Sequence, residues 1–281
     1  MPWEKDLCNF PEKGSCTIDT NKLVLFVHFD NTNKISDTDI LYLQKLKKIS
    51  AKLVFITNSK LNDADIELAG RLSDLVIERP NQGYDFGAWK DALAIIGSSG
   101  ITEFTQVVLV NNSCFAPATD LTMMFMEMEK EKADFWGNSI YPAVQEIIDL
   151  QNNKRKINTP EHIQSYFLVF NPRIIKSVDF NEFWLHIPYI NSLNDVIKEC
   201  EINLTPYFSS RGYTYSCYIK ETITQQLHNG VDCSYKDPCQ LIEWGSPFLK
   251  KKSLKFISDS HKNILSSYFL QKNNINILQK E

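Results

Sequence analysis

Short runs of consecutive apolar residues alternate, through the first half of the chain, with segments whose apolar positions recur every three or four residues. Lys22 to Phe29 reads Lys-Leu-Val-Leu-Phe-Val-His-Phe, which predicts a strand buried on both faces. Asp30-Asn-Thr-Asn reads as a turn. Ser36 or Asp37 then caps a predicted helix carrying Leu41, Leu43, Leu46 and Ile49. The same alternation predicts strands over Lys52–Thr57, Leu75–Ile77, Gln106–Val110 and Asp134–Ile140. Between them it predicts helices over Asp63–Leu72, Gly87–Ile96 and Leu121–Lys132. Strands separated by helical segments of about 10–15 residues predict βαβ units around a mostly parallel sheet, an α/β fold. Ligands of such sheets bind beyond the carboxyl ends of the strands. The polar residues at those ends are Asp30, Thr57-Asn58-Ser59, Arg79 to Asp85, and Asn111-Asn112-Ser113.

The second half is less regular. Gln145 to Glu161 is polar and reads as a mobile surface segment. Ile163–Phe170 predicts a strand, ended by Asn171-Pro172, and Phe180–Ile187 a helix. Asp195–Tyr207 predicts a helix bent near Pro206, Gly212–Tyr218 a strand, and the chain from Asp237 onward reads as helical. No repeat and no Gly-, Pro- or Ser-rich linker divides the chain.

Composition narrows the class. The 281 residues are 43% hydrophobic and 23% charged, which excludes disordered, collagen-like and coiled-coil chains. The net charge of −4 argues against a nucleic-acid binder. Seven cysteines, an odd number, are scattered without any Cys-x-x-Cys, and His228 near Cys233 and Cys239 fits no zinc spacing. Met1-Pro-Trp-Glu-Lys-Asp holds no apolar signal core, and no apolar run reaches the length of a membrane span. The expectation is a cytoplasmic protein with free thiols.

Candidate chemistry concentrates in few places. Phe26-Val-His-Phe-Asp-Asn-Thr resembles the start of a haloacid-dehalogenase phosphatase, but His28 stands where the aspartate nucleophile is needed. No phosphate-binding P-loop, dinucleotide glycine motif or Gly-x-Ser-x-Gly elbow occurs. Glu78-Arg-Pro-Asn-Gln-Gly-Tyr-Asp-Phe-Gly-Ala-Trp-Lys-Asp places glycines, aromatics and carboxylates between a strand and a helix. Glycines permit close backbone approach to a ligand, while an Asp at a helix start can simply cap it.

These motifs carry a resemblance. Arg79-Pro-Asn-Gln-Gly-Tyr-Asp-Phe-Gly-Ala-Trp, Val108-Leu-Val-Asn-Asn-Ser-Cys-Phe-Ala-Pro, Asp134-Phe-Trp-Gly and His162-Ile-Gln-Ser-Tyr-Phe-Leu-Val-Phe are similar to the rhamnan synthesis protein F family of bacterial glycosyltransferases. Val27-His-Phe-Asp and Gly245-Ser-Pro-Phe-Leu-Lys fit the same pattern, so the resemblance spans about residues 22–255. It implies a GT-A glycosyltransferase fold: a nucleotide-sugar half over about 22–140 and an acceptor half over about 160–236 in one domain, 1–236, with a helical extension over 237–281 packed on it. It also implies transfer of rhamnose from dTDP-rhamnose to a growing surface polysaccharide or lipid-linked oligosaccharide.

In that framework Phe29, Asp30, Arg79, Asn81, Gly83, Tyr84, Asp85, Lys90, Asn111, Asn112 and Ser113 are the candidate nucleotide-sugar residues. The fourth strand of a GT-A enzyme normally ends in Asp-x-Asp, which holds Mg²⁺ or Mn²⁺; Asn111-Asn112-Ser113 replaces it, leaving Asn112 as a weak metal-ligand candidate. Without a metal, Arg79, Lys90 or Arg211 would have to offset the diphosphate charge. Simple GT-A transferases carry the general base in a Glu-Asp pair at a helix start; Glu199-Cys-Glu-Ile-Asn-Leu, followed by Arg211-Gly-Tyr, puts Glu201 at the Asp position of that register. His162, Gln164, Ser165, Tyr166 and Arg211 are the sugar and acceptor candidates. Trp89, Trp136, Phe183 and Trp184 read as core. Pro247–Ile257 mixes apolar residues with four lysines; it is either a peripheral membrane contact or a helix packed on the domain with a solvated cationic face. Two other functions fit the same residues: a GT-A enzyme using a UDP-sugar, or a non-catalytic nucleotide-sugar or glycan-binding module.

Overall fold

The computed structural model describes residues 18–150, 153–222 and 232–278. Cys8, Cys16, His228 and the amino-terminal residues lie outside them.

The first half folds in the predicted order: β1 (Lys22–His28), α1 (Asp37–Lys47), β2 (Lys52–Thr57), α2 (Asp63–Leu72), β3 (Leu75–Glu78), α3 (Tyr84–Ile101), β4 (Gln106–Asn111) and α4 (Thr122–Glu129). Then come β5 (Phe135–Gly137), β6 (Ile140–Tyr141), β7 (Val144–Leu150), β8 (Asn153–Thr159), β9 (His162–Ile163) and β10 (Phe167–Phe170). Helices α5 (Pro172–Ile175), α6 (Val178–His186), α7 (Leu193–Val196) and α8 (Ile202–Ser209) follow, then β11 (Tyr215–Cys217), α9 (Cys233–Lys236), α10 (Pro238–Glu243) and α11 (Asp259–Asn273).

Seven strands form one sheet in the order β11-β5-β10-β4-β1-β2-β3. All neighbours run parallel except β10, which is antiparallel to both β4 and β5. This is a mixed α/β fold around a mostly parallel sheet, in agreement with the expected α/β class. Because side chains alternate across a strand, β1 feeds two cores. Leu23, Leu25 and Val27 join Phe86, Trp89, Trp184 and Phe208 on one face. Val24 and Phe26 join Leu43, Leu46, Phe125 and Trp136 on the other. Each fully buried apolar side chain of this kind contributes roughly 1.5–3 kcal/mol. Trp89, Trp136, Phe183 and Trp184 are all core.

Local differences from the sequence expectation have local causes. Ser36, not Asp37, caps α1: its hydroxyl accepts from the Asp39 N–H while the Asp39 carboxylate accepts from the Ser36 N–H. Helix α3 begins earlier than Gly87 and is kinked at Gly97, whose φ is +76°. The strand expected over Ile163–Phe170 breaks into β9 and β10, and that over Asp134–Ile140 into β5 and β6, because β6 and β9 leave the main sheet to pair with each other. Within the polar segment Gln145–Glu161, β7 and β8 pair from Val144↔Thr159 to Leu150↔Asn153, satisfying their own backbone groups. The helix expected over Asp195–Tyr207 is α7, a π turn over Ile197–Glu201, and α8, which continues through Pro206.

Residues after α10 are only partly helical. The backbone of Pro247, Leu249 and Lys251 bonds to the loop after β4 (Ala118 N–H to Pro247 O, 2.7 Å; Phe115 N–H to Leu249 O, 2.9 Å; Lys251 N–H to Ser113 O, 2.8 Å). A 3₁₀ turn covers Lys251–Lys255. Helix α11 then packs Leu265 and Phe269 against Ala118 and Leu249. Among the described residues, no helix is long and apolar enough to cross a membrane.

Candidate functional site

The carboxyl ends of β1, β2, β3 and β4 bring the expected polar loops together. The loop after β3 is held by Arg79, whose side chain is only 6% exposed. Its Nε donates to Asp91 Oδ2 (2.6 Å), Nη1 to Asn58 Oδ1 (2.7 Å) and Nη2 to the Gln82 carbonyl (2.6 Å). The guanidinium is thus a clamp for its own loop rather than a free phosphate ligand. Asn58, at the end of β2, donates in turn to Asn81 Oδ1 (3.1 Å) and the Tyr84 carbonyl (3.4 Å). Sequence pattern marks Asn58 only as a strand-end polar residue, yet it ties Arg79, Asn81 and Tyr84 into one unit.

That loop is strained. Gly83 and Tyr84 are both left-handed, with φ of +71° and +51°. For a bulky residue such as Tyr84 this costs about 1–3 kcal/mol and persists only where surrounding contacts over-determine it. Gly87 explains a second glycine of the motif: a Cβ there would lie 2.3 Å from the Gln82 carbonyl oxygen. The turn that lays the loop against the start of α3 therefore requires glycine.

Asp85 lies in the first turn of α3 and accepts a hydrogen bond from Asn111 Nδ2 at 2.8 Å. Burial pushes its carboxyl from an ordinary 3.8 up to about 6; the Asn111 amide and the Lys252 and Arg79 charges oppose the rise, and the Glu201 charge adds to it. A carboxyl raised in this way favours folding while protonated. Its contribution is full below about pH 4 and is lost as pH rises through about 6. Asp85→Asn should therefore raise the melting temperature at pH 8 by roughly 5–10 °C, the equivalent of about 3 kcal/mol, and leave it unchanged at pH 4. Thermal melts of both proteins across that range check this; a pH-independent difference would show that Asp85 does not titrate in this way.

Asn111 and Asn112 are both engaged. Asn111 Oδ1 accepts from the Ser113 N–H (3.1 Å) and hydroxyl (2.5 Å). The Asn112 amide pairs with the backbone of Phe29 in both directions, Oδ1 accepting from N–H (3.2 Å) and Nδ2 donating to the carbonyl (3.3 Å). This holds Phe29, 41% exposed, beside the end of β4. Asp30 closes a turn, accepting from the Thr32 N–H (2.8 Å) and hydroxyl (2.5 Å).

Glu201 ends the π turn between α7 and α8, and its carboxylate accepts from both the backbone N–H (3.2 Å) and the hydroxyl of Ser165. Ser165 precedes Tyr166, whose carbonyl accepts from the Asn111 N–H at 3.5 Å. Asp85, Asn111, Ser165 and Glu201 are thereby linked in one short series of contacts. A π turn shifts the side-chain register of a helix and recurs at functional sites.

Other candidates are placed elsewhere. His162 and Tyr166 are 3% and Gln164 4% exposed. His162 Nδ1 meets the Pro160 carbonyl and its ring stacks on Tyr141. Gln164 and Tyr166 bond to Ser139, and through Ser234, Asp232 and Asn138 they anchor neighbouring chain segments. The cause is the break between β9 and β10, which turns these side chains inward. Lys90 donates to the Ile187 carbonyl (2.6 Å) and lies over Tyr189. Arg211 stacks on Tyr207 (3.6 Å) and pairs with Asp179 (3.3 Å). Both arginine partners line a separate groove of about 490 Å³ with Glu199 and Asn203, on the helix face opposite Glu201 and Thr205. His28 is fully buried between Thr57, the Lys34 carbonyl and Asp39, away from any nucleophilic role.

The lysines after Phe248 are the residues that pattern alone misplaces. Phe248 and Leu249 are 1% exposed, so they pack into the core rather than onto a membrane face. Lys250 bridges Cys114, and its ammonium lies 5.0 Å over the Tyr166 ring and 4.3 Å over the Tyr235 ring. The signal was present, since the Gly245–Lys250 motif itself ends on this lysine.

The end of β4 does not fit a divalent cation. Its two amide oxygens already accept hydrogen bonds from the protein, and hard cations take carboxylate-rich oxygen sets. Among the described residues, no three His, Cys, Asp or Glu side chains cluster to hold a metal.

The family model for rhamnan synthesis protein F matches residues 53–276. The chain belongs to the rhamnan synthesis protein F family. An uncharacterized protein, y4gN, of Sinorhizobium fredii is 28% identical over 190 residues, covering 67% of this chain and 46% of its own. Virulence protein VirA of Vibrio anguillarum is 25% identical over 210 residues, covering 65% of this chain and 62% of its own. This chain therefore spans less than two thirds of the length of either relative. Among solved structures, a 4-diphosphocytidyl-2C-methyl-D-erythritol synthase from Anaerococcus prevotii matches at TM-score 0.42 and 9% identity, over 74% of this chain and 96% of its own. Core-mannan synthase A from Aspergillus fumigatus, in its Mn/GDP form, matches at TM-score 0.33 and 9% identity, over 63% of this chain and 66% of its own. Likenesses at these TM-scores carry no inference about this chain.

Proposed function

We propose that this chain transfers a sugar from a nucleotide sugar to a polysaccharide or lipid-linked oligosaccharide, with rhamnose from dTDP-rhamnose as the donor that its family favours. The observation that carries the reading is Glu201, held by Ser165 and within electrostatic reach of Asp85, which accepts from Asn111 at the end of β4. Phe29 offers a face for the base, and the loop of Asn81, Gly83 and Tyr84 a backbone edge for the ribose. In an inverting transfer the acceptor oxygen attacks the anomeric carbon as its proton passes to a Glu201 carboxylate oxygen. The bond from that carbon to the diphosphate breaks, and the nucleoside diphosphate leaves with the electron pair. Ser165 serves by keeping the carboxylate in one orientation before the acceptor arrives.

A panel of dTDP, UDP, GDP and their sugars, read by thermal shift with EDTA and with Mn²⁺, tests the donor. Stabilisation by dTDP and dTDP-rhamnose above the others is expected. A UDP-specific shift would replace rhamnose as the donor, and no shift with any nucleotide sugar would sink the reading. A second reading, a non-catalytic binding module, draws on the neutral amides of Asn111 and Asn112 where carboxylates are usual. It predicts nucleotide binding without turnover on any acceptor.

A further inference from the structure

We infer that Lys250 and Lys252 are the cationic groups that hold the donor's diphosphate, in the place where a GT-A site otherwise uses a metal bound by Asp-x-Asp. The inference rests on the nucleotide-sugar reading and adds residues that motif comparison does not assign.

Backbone pairing supplies the first argument. Lys250 forms an antiparallel bridge with Cys114, and the Lys251 N–H bonds to the Ser113 carbonyl at 2.8 Å. The lysine run is thus laid along the residues that directly follow Asn111 and Asn112. Its position is set by Phe248 and Leu249, both 1% exposed, so the charges sit on a rigid element and not on a free tail.

The three lysines then divide. Lys251 turns to Asp39, with Nζ 3.3 Å from its carboxylate, and is occupied there. Lys250 sits between the Tyr166 and Tyr235 rings, within electrostatic reach of Glu201 and Asp232. Burial alone would lower its pKa, but Tyr235, Asp232 and Glu201 outweigh that, so its ammonium stays charged. Lys252 is exposed and lies within electrostatic reach of Asp85. Two positive charges therefore flank the Asp85, Asn111 and Glu201 group from the side of the β4 loop.

Chemistry supplies the second argument. Cleavage of the sugar–diphosphate bond leaves extra negative charge on the diphosphate, which needs preorganised positive charge. Lysine ammonium groups act on phosphates as point charges. The other cations proposed from sequence are committed elsewhere: Arg79 to its loop, Lys90 to Ile187, and Arg211 to Asp179 and Tyr207.

Calorimetric titration of the full chain with thymidine and uridine mono- and diphosphates, in EDTA and in MnCl₂, tests this. Wild-type protein should bind the diphosphate more tightly than the monophosphate, equally in both buffers. Lys252→Ala and Lys250→Met should each weaken diphosphate binding about tenfold or more while leaving monophosphate binding unchanged. Lys130→Ala, exposed at the end of α4 where it pairs with Glu127, should change neither. Lys252 is exposed, so its variant keeps the wild-type melting temperature and decides the matter should Lys250→Met fail to fold. Diphosphate binding that requires Mn²⁺, or that survives both lysine changes, overturns the inference while leaving the nucleotide-sugar reading standing. A wild-type chain that binds no nucleotide overturns both.

Discussion

Glu201→Gln should lower sugar transfer by about 10²–10⁴-fold and leave nucleotide-sugar affinity within about twofold of wild type. The amide replaces the carboxylate at equal size, and its oxygen can still accept the Ser165 N–H and hydroxyl, so the π turn and α8 keep their geometry. What is lost is the ability to take the acceptor proton. An initial-rate assay with a competent acceptor, paired with a binding titration, separates the two effects. Full transfer activity in the variant would remove Glu201 as base. Equal loss of binding and rate would instead assign it to donor binding. Ser165→Ala should have a smaller effect in the same direction, because it frees the carboxylate without removing it.

Arg79→Met should destabilise the protein by about 3–5 kcal/mol, which for a chain of this size lowers the melting temperature by roughly 6–15 °C. The methionine keeps most of the apolar stem but deletes the bonds to Asp91, Asn58 and the Gln82 carbonyl together. Asp91 then remains as a half-buried carboxylate with its other oxygen on the Tyr189 hydroxyl. The left-handed Gly83–Tyr84 turn loses one of the contacts that offset its strain, so nucleotide affinity should fall as well. Calorimetry reads the first effect and titration the second. A melting temperature within a degree of wild type would show that the loop is held by other means, chiefly the Asn58 amide.

Much of this was legible in residue order. The apolar runs at Lys22–Phe29, Lys52–Thr57 and Gln106–Val110 are buried parallel strands, and period-3.6 segments between them are the helices that cover the sheet. Once the strands are parallel, their carboxyl ends share one edge, so Asp30, Arg79 to Asp85 and Asn111 to Ser113 had to converge. Legibility stopped where a side chain's direction depends on distant contacts. Gln164 and Tyr166 sit on a stretch that reads as one strand, but β9 leaves to pair with β6, and both side chains turn into a buried polar network. Arg211 follows Glu201 in a motif-like order, yet Glu201 turns to Ser165 while Arg211 turns to Asp179.

The lysine run shows the division most clearly. By itself it is an amphipathic basic segment, equally suited to solvent or an anionic surface. Tertiary pairing of Lys250 with Cys114, far earlier in the chain, moves that charge to the end of β4, beside the amides that replace Asp-x-Asp. Sequence determined the sheet, its helices and the edge where the polar loops gather, because periodicity and turn chemistry act over a few residues. Tertiary structure decided which of those polar groups gather at the ends of β3 and β4, which are spent holding the loops, and where the lysine charges come to lie. Those outcomes depend on contacts between residues that no local pattern connects.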